Sequence, residues 1–158
     1  AHAVLESEGV SRDLRAALLE LGWTVFPDAL RRARQVTALR AEEPAVLEAA
    51  AIVGTRAANI VTQRVSDSTN VDPGLFEHET ERELLAAIEK LERELADMSE
   101  GVAPRIRQFA ELAPLMDRFF VDVMVMVDDE RVRNNRLALL YRAHLIFMTV
   151  LAFRHLEF

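Results

Sequence analysis

Apolar residues recur at helical spacing along nearly the whole chain, and the residues between them are of the kinds that start and stop helices. Ser11 is placed to cap a helix over Arg12 to Leu21, which Gly22 would end. Pro27 suits the first turn of a helix running to about Glu42, and Pro44 that of the next, running to about Gln63. The polar run Ser66-Asp67-Ser68-Thr69-Asn70, closed by Asp72-Pro73-Gly74, reads as a loop. From Glu79 to Met98, Leu84, Leu85, Ile88, Leu91 and Leu95 form one apolar stripe on a charged segment, predicting a helix with one packed side; Gly101 would end it. Pro104 and Pro114 each permit a new helix.

The apolar run containing Phe119, Phe120 and Val123 to Val127 reads as a turn between helices or the end of one. After it, Asp128 and Asp129 are placed as cap and first-turn acid of a last helix, from about Asp129 to Leu156. The second half of that helix is apolar on nearly every side, which predicts a central, buried element. Ala143 to Phe153 is the most apolar stretch; it is too short to cross a bilayer and contains His144, so no membrane partner is expected. No strand pattern competes. The fold class expected is all-α, a helical bundle, with residues 1–24 as a helical lead-in and 25–158 as the main domain.

Composition narrows the function classes. The 158 residues suffice for one core, and 51% hydrophobic with 28% charged residues is an ordinary globular balance. Cys is absent, which excludes disulfides, thiolate metal sites and a cysteine nucleophile, and fits a reducing, cytoplasmic setting. No targeting segment is visible, and a start at Ala1 in place of Met is what a piece of a longer protein would show. None of His78, His144 and His155 has a Glu three positions before it, so the Glu-x-x-His metal pairs of helical bundles are missing. There is no Gly-rich phosphate loop and no nucleophile elbow. Neither a catalytic residue nor a metal site is expected.

The net charge of −7 argues against a generic DNA or RNA binder. Its distribution is uneven. Residues 77–100 hold nine acids and three bases, a local −6, whereas residues 131–142 hold four Arg and no acid, a local +4. Lys90 is the only Lys, and Arg favours planar, bidentate recognition of phosphates and bases.

Two stretches carry a family resemblance. The first is Phe119-Phe120-Val121-Asp122-Val123-Met124-Val125-Met126-Val127-Asp128-Asp129-Glu130, continuing as Arg131-Val132-Arg133-Asn134-Asn135-Arg136-Leu137. The second is Val71-Asp72-Pro73-Gly74-Leu75-Phe76-Glu77, leading into the acidic helix; Arg56-Ala57-Ala58-Asn59-Ile60 is a third, shorter match. In this order they resemble the C-terminal region of bacterial glycyl-tRNA synthetase β subunits, over about residues 25 to 156. The resemblance implies a DALR-type helical anticodon-binding domain whose partners are tRNA(Gly), the remainder of the β subunit and the α subunit. It implies no cofactor in this chain. ATP and magnesium belong to glycyl-adenylate formation in the α part.

Under that resemblance the candidate RNA-binding residues fall into groups. Arg56, Asn59 and Gln63 share one helical face. Arg131, Asn135 and Arg142 share a side of the last helix, and Arg133 and Arg136 lie on another. Asp129, beside Asp128 and Arg131, offers a carboxylate that could accept from a cytosine amino group. Arg31, Arg32 and Arg34 form a further basic group, and Trp23 and Tyr141 are aromatic residues that could stack on bases or belong to the core. The other readings of the same residues stay open: Arg and Asn that cap and pair within the bundle, a protein-interaction module without an RNA role that uses the acidic helix against a basic partner, or the related domain of arginyl-tRNA synthetase.

Overall fold

A computed structural model describes residues 2–22, 26–95 and 97–158. Among these described residues eight α-helices follow in order: α1 (His2–Ser7), α2 (Arg12–Leu19), α3 (Phe26–Glu42), α4 (Pro44–Ile60), α5 (Glu79–Glu94), α6 (Ala103–Glu111), α7 (Ala113–Asp122) and α8 (Glu130–Met148). Short 3-10 turns lie at Val61–Gln63, Pro73–Leu75 and Phe153–His155. No strand occurs among the described residues, so the fold is all-α as expected. Pro27, Pro44, Pro104 and Pro114 each stand within the first two positions of a helix, where a missing N–H and a fixed φ carry no cost.

The centre of the bundle is α4, packed against α3, α6, α7, α8 and the last 3-10 turn. Together with Val61–Gln63 it is long and apolar enough to cross a membrane, yet Leu47, Ala50, Val53, Ala57 and Val61 are buried against other helices. Phe109 joins the layers, meeting Phe147 edge-on at 4.9 Å between ring centroids and Phe153 at 6.0 Å. The first two helices belong to the same core. Leu5, Leu14, Ala17 and Leu18 are buried in it, and the Asp13 carboxylate accepts from Arg40 at 2.6 Å and from the Glu157 N–H at 2.9 Å.

Three segments depart from their predicted form. The last helix stops at Met148 and not near Leu156. Arg32 donates to the Thr149 and Val150 carbonyls at 2.6 and 3.0 Å, supplying from another helix the partners that a continued helix would have given. The chain then folds back so that Phe153 lies on Gly54, where a Cβ would come within 2.9 Å of the ring. The acidic helix ends at Glu94, before Met98. Gly101 follows with φ +83°, and the Gln35 side chain caps α6 from a distance, its Oε1 accepting from Val102 N–H (2.8 Å) and Ala103 N–H (3.0 Å). Residues 123–127 are neither helix nor tight turn. Val123 is extended and the chain bends at Val125 and Met126, with Val123 and Val125 buried and Met124 and Met126 exposed.

Candidate nucleic-acid interface

The residues singled out in the sequence meet three different fates. Arg136 and Asn135 are interior. The Arg136 side chain is 3% exposed and faces Glu81, which is 0% exposed, with Nε donating at 3.2 Å. Its Nη1 donates to the Met124 carbonyl at 2.7 Å and its Nη2 to Glu77 at 3.4 Å. Glu81 in turn accepts from the Glu77 and His78 N–H groups (2.8 and 3.0 Å), holding the start of α5. The Asn135 amide makes a matched pair with one backbone unit: Oδ1 accepts from Asp72 N–H at 2.7 Å and Nδ2 donates to the Asp72 carbonyl at 3.0 Å. RNA has no access to these two side chains in this fold. Burying a guanidinium requires a carboxylate and acceptors for its remaining N–H groups, and those acceptors are what Arg136 has.

A second set is half-exposed and engaged within the chain. Arg142 forms a bidentate pair with Glu92, at 2.5 and 3.3 Å. Arg56 meets Asp117 at 2.5 Å and lies 4.5 Å over the Phe120 ring. Arg133 donates to the Val127 and Asp128 carbonyls (3.0 and 3.2 Å), closing the turn before α8. Asp129 is exposed, but its Oδ1 accepts from Arg131 N–H and Val132 N–H as the N-cap of α8. In the other basic group, Arg31 donates to the Ser99 carbonyl, Arg34 pairs with Glu8 at 3.7 Å, and Arg32 closes α8. Tyr141 is half-buried under the Arg64 guanidinium, 4.2 Å above its ring. Trp23 lies outside the described residues.

The third set is free. Arg131, Asn59 and Gln63 are exposed, and among the described residues their side chains have no hydrogen-bond or charge partner. The 3-10 turn that ends in Gln63 packs on α8, and the loop after it follows α8, from Arg64 over Tyr141 to Asp72 on Asn135. At 1.5 Å per residue, Tyr141 and Arg131 stand about 15 Å apart along the helix. Asn59 with Gln63 and Arg131 therefore mark two exposed places at either end of the 64–72 loop.

The charge pattern is also rearranged by folding. Besides Arg136, the acidic segment meets Arg118 through Glu83 (2.6 Å), Arg142 through Glu92, and buried Arg105 through Glu94 (3.6 Å). The acidic helix is thus largely matched by arginines of α6, α7 and α8. Among the described residues no three His, Asp or Glu side chains are grouped as metal ligands would be. Sequence reasoning missed Glu81 and Gln35. Glu81 did carry a signal, standing at the third helical position where a capping-box acid belongs; Gln35 carried none, because its partners lie 67 and 68 residues away.

The DALR anticodon binding domain model matches residues 52–153, a span that includes α4 from Ile52 onward, the 64–72 loop and all of α5 to α8. The chain is 36% identical over 141 residues to the glycine–tRNA ligase beta subunit of Desulfatibacillum aliphaticivorans, covering 87% of this chain and 20% of that protein. It is 36% identical over 148 residues to the beta subunit of Chromohalobacter salexigens, covering 92% and 21%. The beta subunit of Streptococcus pyogenes serotype M3 is 33% identical over 150 residues, covering 95% and 21%. The chain spans about a fifth of the length of these curated relatives. With an all-helical fold and a family match over most of its length, the chain belongs to the DALR anticodon-binding domain family.

Proposed function

We propose that this chain is a tRNA-binding module that engages the anticodon arm of tRNA(Gly), as part of a glycine–tRNA ligase β subunit. The observation that carries the reading is the family match over residues 52–153, which spans the free side chains of Asn59, Gln63 and Arg131. The names of the relatives support glycine as the amino acid. On this reading the chemistry lies elsewhere: the remainder of the β subunit and the α subunit are the protein partners, ATP and magnesium act in the α subunit, and the setting is cytoplasmic.

The exposed groups suggest how the labour divides. Single-stranded loops expose base edges. Asn59 and Gln63 carry amides, each able to donate and accept against such an edge. Arg131 is a free cation suited to phosphate or to a guanine edge. With most other arginines paired to carboxylates, few phosphate contacts are available beside Arg131. Binding by this chain should then have a shallow salt slope, on the order of −1 to −2 in log K against log salt. Tight binding would come from linkage to the rest of the enzyme.

The test is binding to tRNA(Gly) and to the same tRNA with its two anticodon cytosines changed, each at two salt concentrations. We expect weaker binding of the changed tRNA. Arg131→Ala should weaken both complexes alike, flatten the salt slope by about 1 and leave unfolding unchanged. Equal affinity for the two tRNAs would reject anticodon reading, and no effect of Arg131→Ala would reject its role.

A further inference from the structure

Three large apolar side chains in one short stretch face solvent. Val121, in the last turn of α7, is 85% exposed, and Met124 and Met126, in the connection after it, are 71% and 44% exposed. They fall within six consecutive residues, so at most about 17 Å of chain separates the outer two. Single exposed apolar residues are ordinary on a protein surface. These three together present on the order of 300 Å² of apolar surface, the size of patch that marks interaction sites. The patch is also fixed in place. Val123 and Val125 are buried between its members, and the buried Arg136 donates from Nη1 to the Met124 carbonyl at 2.7 Å. A surface ordered before its partner arrives loses little freedom on binding. Methionine, unbranched and polarisable, adapts to apolar groups of varied shape.

The charges around it select the partner. Asp122, Asp128, Asp129 and Glu130 flank the patch in the chain, and all four are exposed. Asp122, Asp128 and Glu130 have no cation partner among the described residues. Two arginines, Arg131 and Arg133, stand against these four acids, and Arg133 is turned to the Val127 and Asp128 carbonyls. Arg131 projects about 140° round α8 from Arg136, the residue that holds Met124, and so lies on another side of the helix. The surround is therefore acidic, on a chain whose net charge is −7. It repels the phosphates of RNA. A second copy of the chain would set acid against acid, and on the order of 300 Å² is well below the roughly 800 Å² per partner of a standard interface. What fits is a short cationic segment with an apolar face. Two turns of helix, about 11 Å, lie within the span of the patch.

We propose that Val121, Met124 and Met126 form a docking site for a basic amphipathic helix supplied by a separate protein. The apolar face of that helix covers the two methionines and the valine, and its Lys or Arg side chains meet Asp122, Asp128 and Glu130. This site is independent of tRNA binding and stands apart from Asn59, Gln63 and Arg131.

The experiment is a fluorescence-anisotropy titration of the 158-residue chain into a dye-labelled synthetic helix of about four turns, with Leu on one face and Lys on the others, at low and high salt. Saturable binding is expected, with Kd on the order of 10 µM at low salt and several-fold weaker at high salt. The same helix with Glu in place of Lys should not bind. Met124→Ser combined with Met126→Ser keeps every charge and should weaken binding about tenfold or more, with thermal unfolding unchanged because both side chains are exposed. Val121→Ser serves if that variant does not fold. Asp122→Asn combined with Asp128→Asn should weaken binding about threefold and flatten its salt dependence. No saturable binding, equal binding of the acidic helix, or parent-like binding by the methionine variant overturns the site. A dimer in sedimentation equilibrium that the methionine variant abolishes would give the patch to a second copy and overturn it too, as would displacement of the helix by tRNA(Gly). If the helix binds and tRNA(Gly) does not, this site stands and the tRNA-binding proposal falls.

Discussion

Removing the Arg136 guanidinium should be the most damaging single change in the half of the domain that contains α5, α7 and α8. Arg136→Met leaves Glu81, fully buried, without its cation. Breaking a buried ion pair from one side typically costs about 3–5 kcal/mol. Glu81 would keep two backbone N–H donors at the start of α5, at 2.8 and 3.0 Å. Those bonds and the positive end of the helix soften the loss, so the lower figure, about 3 kcal/mol, is expected. For a domain of this size that is a fall in Tm of about 6–12 °C. The mechanism is separated from mere loss of packing by a second change. Glu81→Gln keeps an acceptor for the Glu77 and His78 N–H groups but removes the stranded charge. The double variant should therefore recover about 2 kcal/mol relative to Arg136→Met alone, a coupling within the range seen for contacting groups. Urea unfolding of the four proteins, followed by far-ultraviolet circular dichroism, closes the cycle. A cost below about 1 kcal/mol for Arg136→Met, or no recovery with Glu81→Gln, would refute the account. Because Arg136 also holds the Met124 carbonyl, Arg136→Met should loosen the 123–127 connection before the core melts, visible as faster amide exchange there.

Two further changes test other parts of the frame. Gly101→Ala puts a side chain at φ +83° and a Cβ about 2.4 Å from the Gln35 amide. Backbone strain of about 1–2 kcal/mol and loss of the α6 cap, about 0.5–2 kcal/mol, together predict about 2–4 kcal/mol of destabilisation, whereas Gln35→Met should show only the cap. A Gly101→Ala protein within about 0.5 kcal/mol of the parent in denaturant unfolding would contradict this. At Asp13, burial raises the pKa, but hydrogen bonds from Arg40, Glu157 N–H and Ser11 outweigh it and hold the carboxyl well below the usual carboxylate range. A depressed folded pKa stabilises the protein above the unfolded value, near 4, and that stability fades as pH falls below it. Asp13→Asn should cost about 1–3 kcal/mol, constant from about pH 8 to 5 and narrowing below about pH 4; a gap that widens on acidification would show the sign to be wrong.

Helix starts were the most legible feature because they are local. Proline within the first two positions and an acid at a cap act over one turn: the beginnings of α3, α4, α6 and α7 stood where Pro27, Pro44, Pro104 and Pro114 placed them, and α8 began one residue later than a cap at Asp128 would set it, with Asp129 as its cap. The end of α8 was not legible. Residues 149–156 contain neither Gly nor Pro and continue the apolar pattern, so nothing local stops the helix. What stops it is Arg32, 117 residues away at the Thr149 carbonyl, together with Gly54 making room for Phe153. Among the site candidates, the helical wheel put Arg131 and Asn135 on one side of α8, yet the first is free and the second is buried on Asp72. A wheel shows which residues point together; it holds no information on what loop lies over them.

The same limit applies to charge. By itself the sequence determined the helical class, the order of the elements, the motif-bearing stretches and two opposed charge blocks, −6 over residues 77–100 and +4 over residues 131–142. Those properties depend on neighbours within a turn or two. Only the tertiary structure decided that Arg136 and Arg142 from one block would close on Glu81, Glu77 and Glu92 from the other, leaving Arg131 uncompensated beside a largely neutralised surface. Coulomb energy falls with distance in space, and residues 50 to 59 positions apart in the chain can stand 3 Å apart or far beyond screening range. Which of these holds is set by how α5 packs on α8, and that packing is a property of the assembled core.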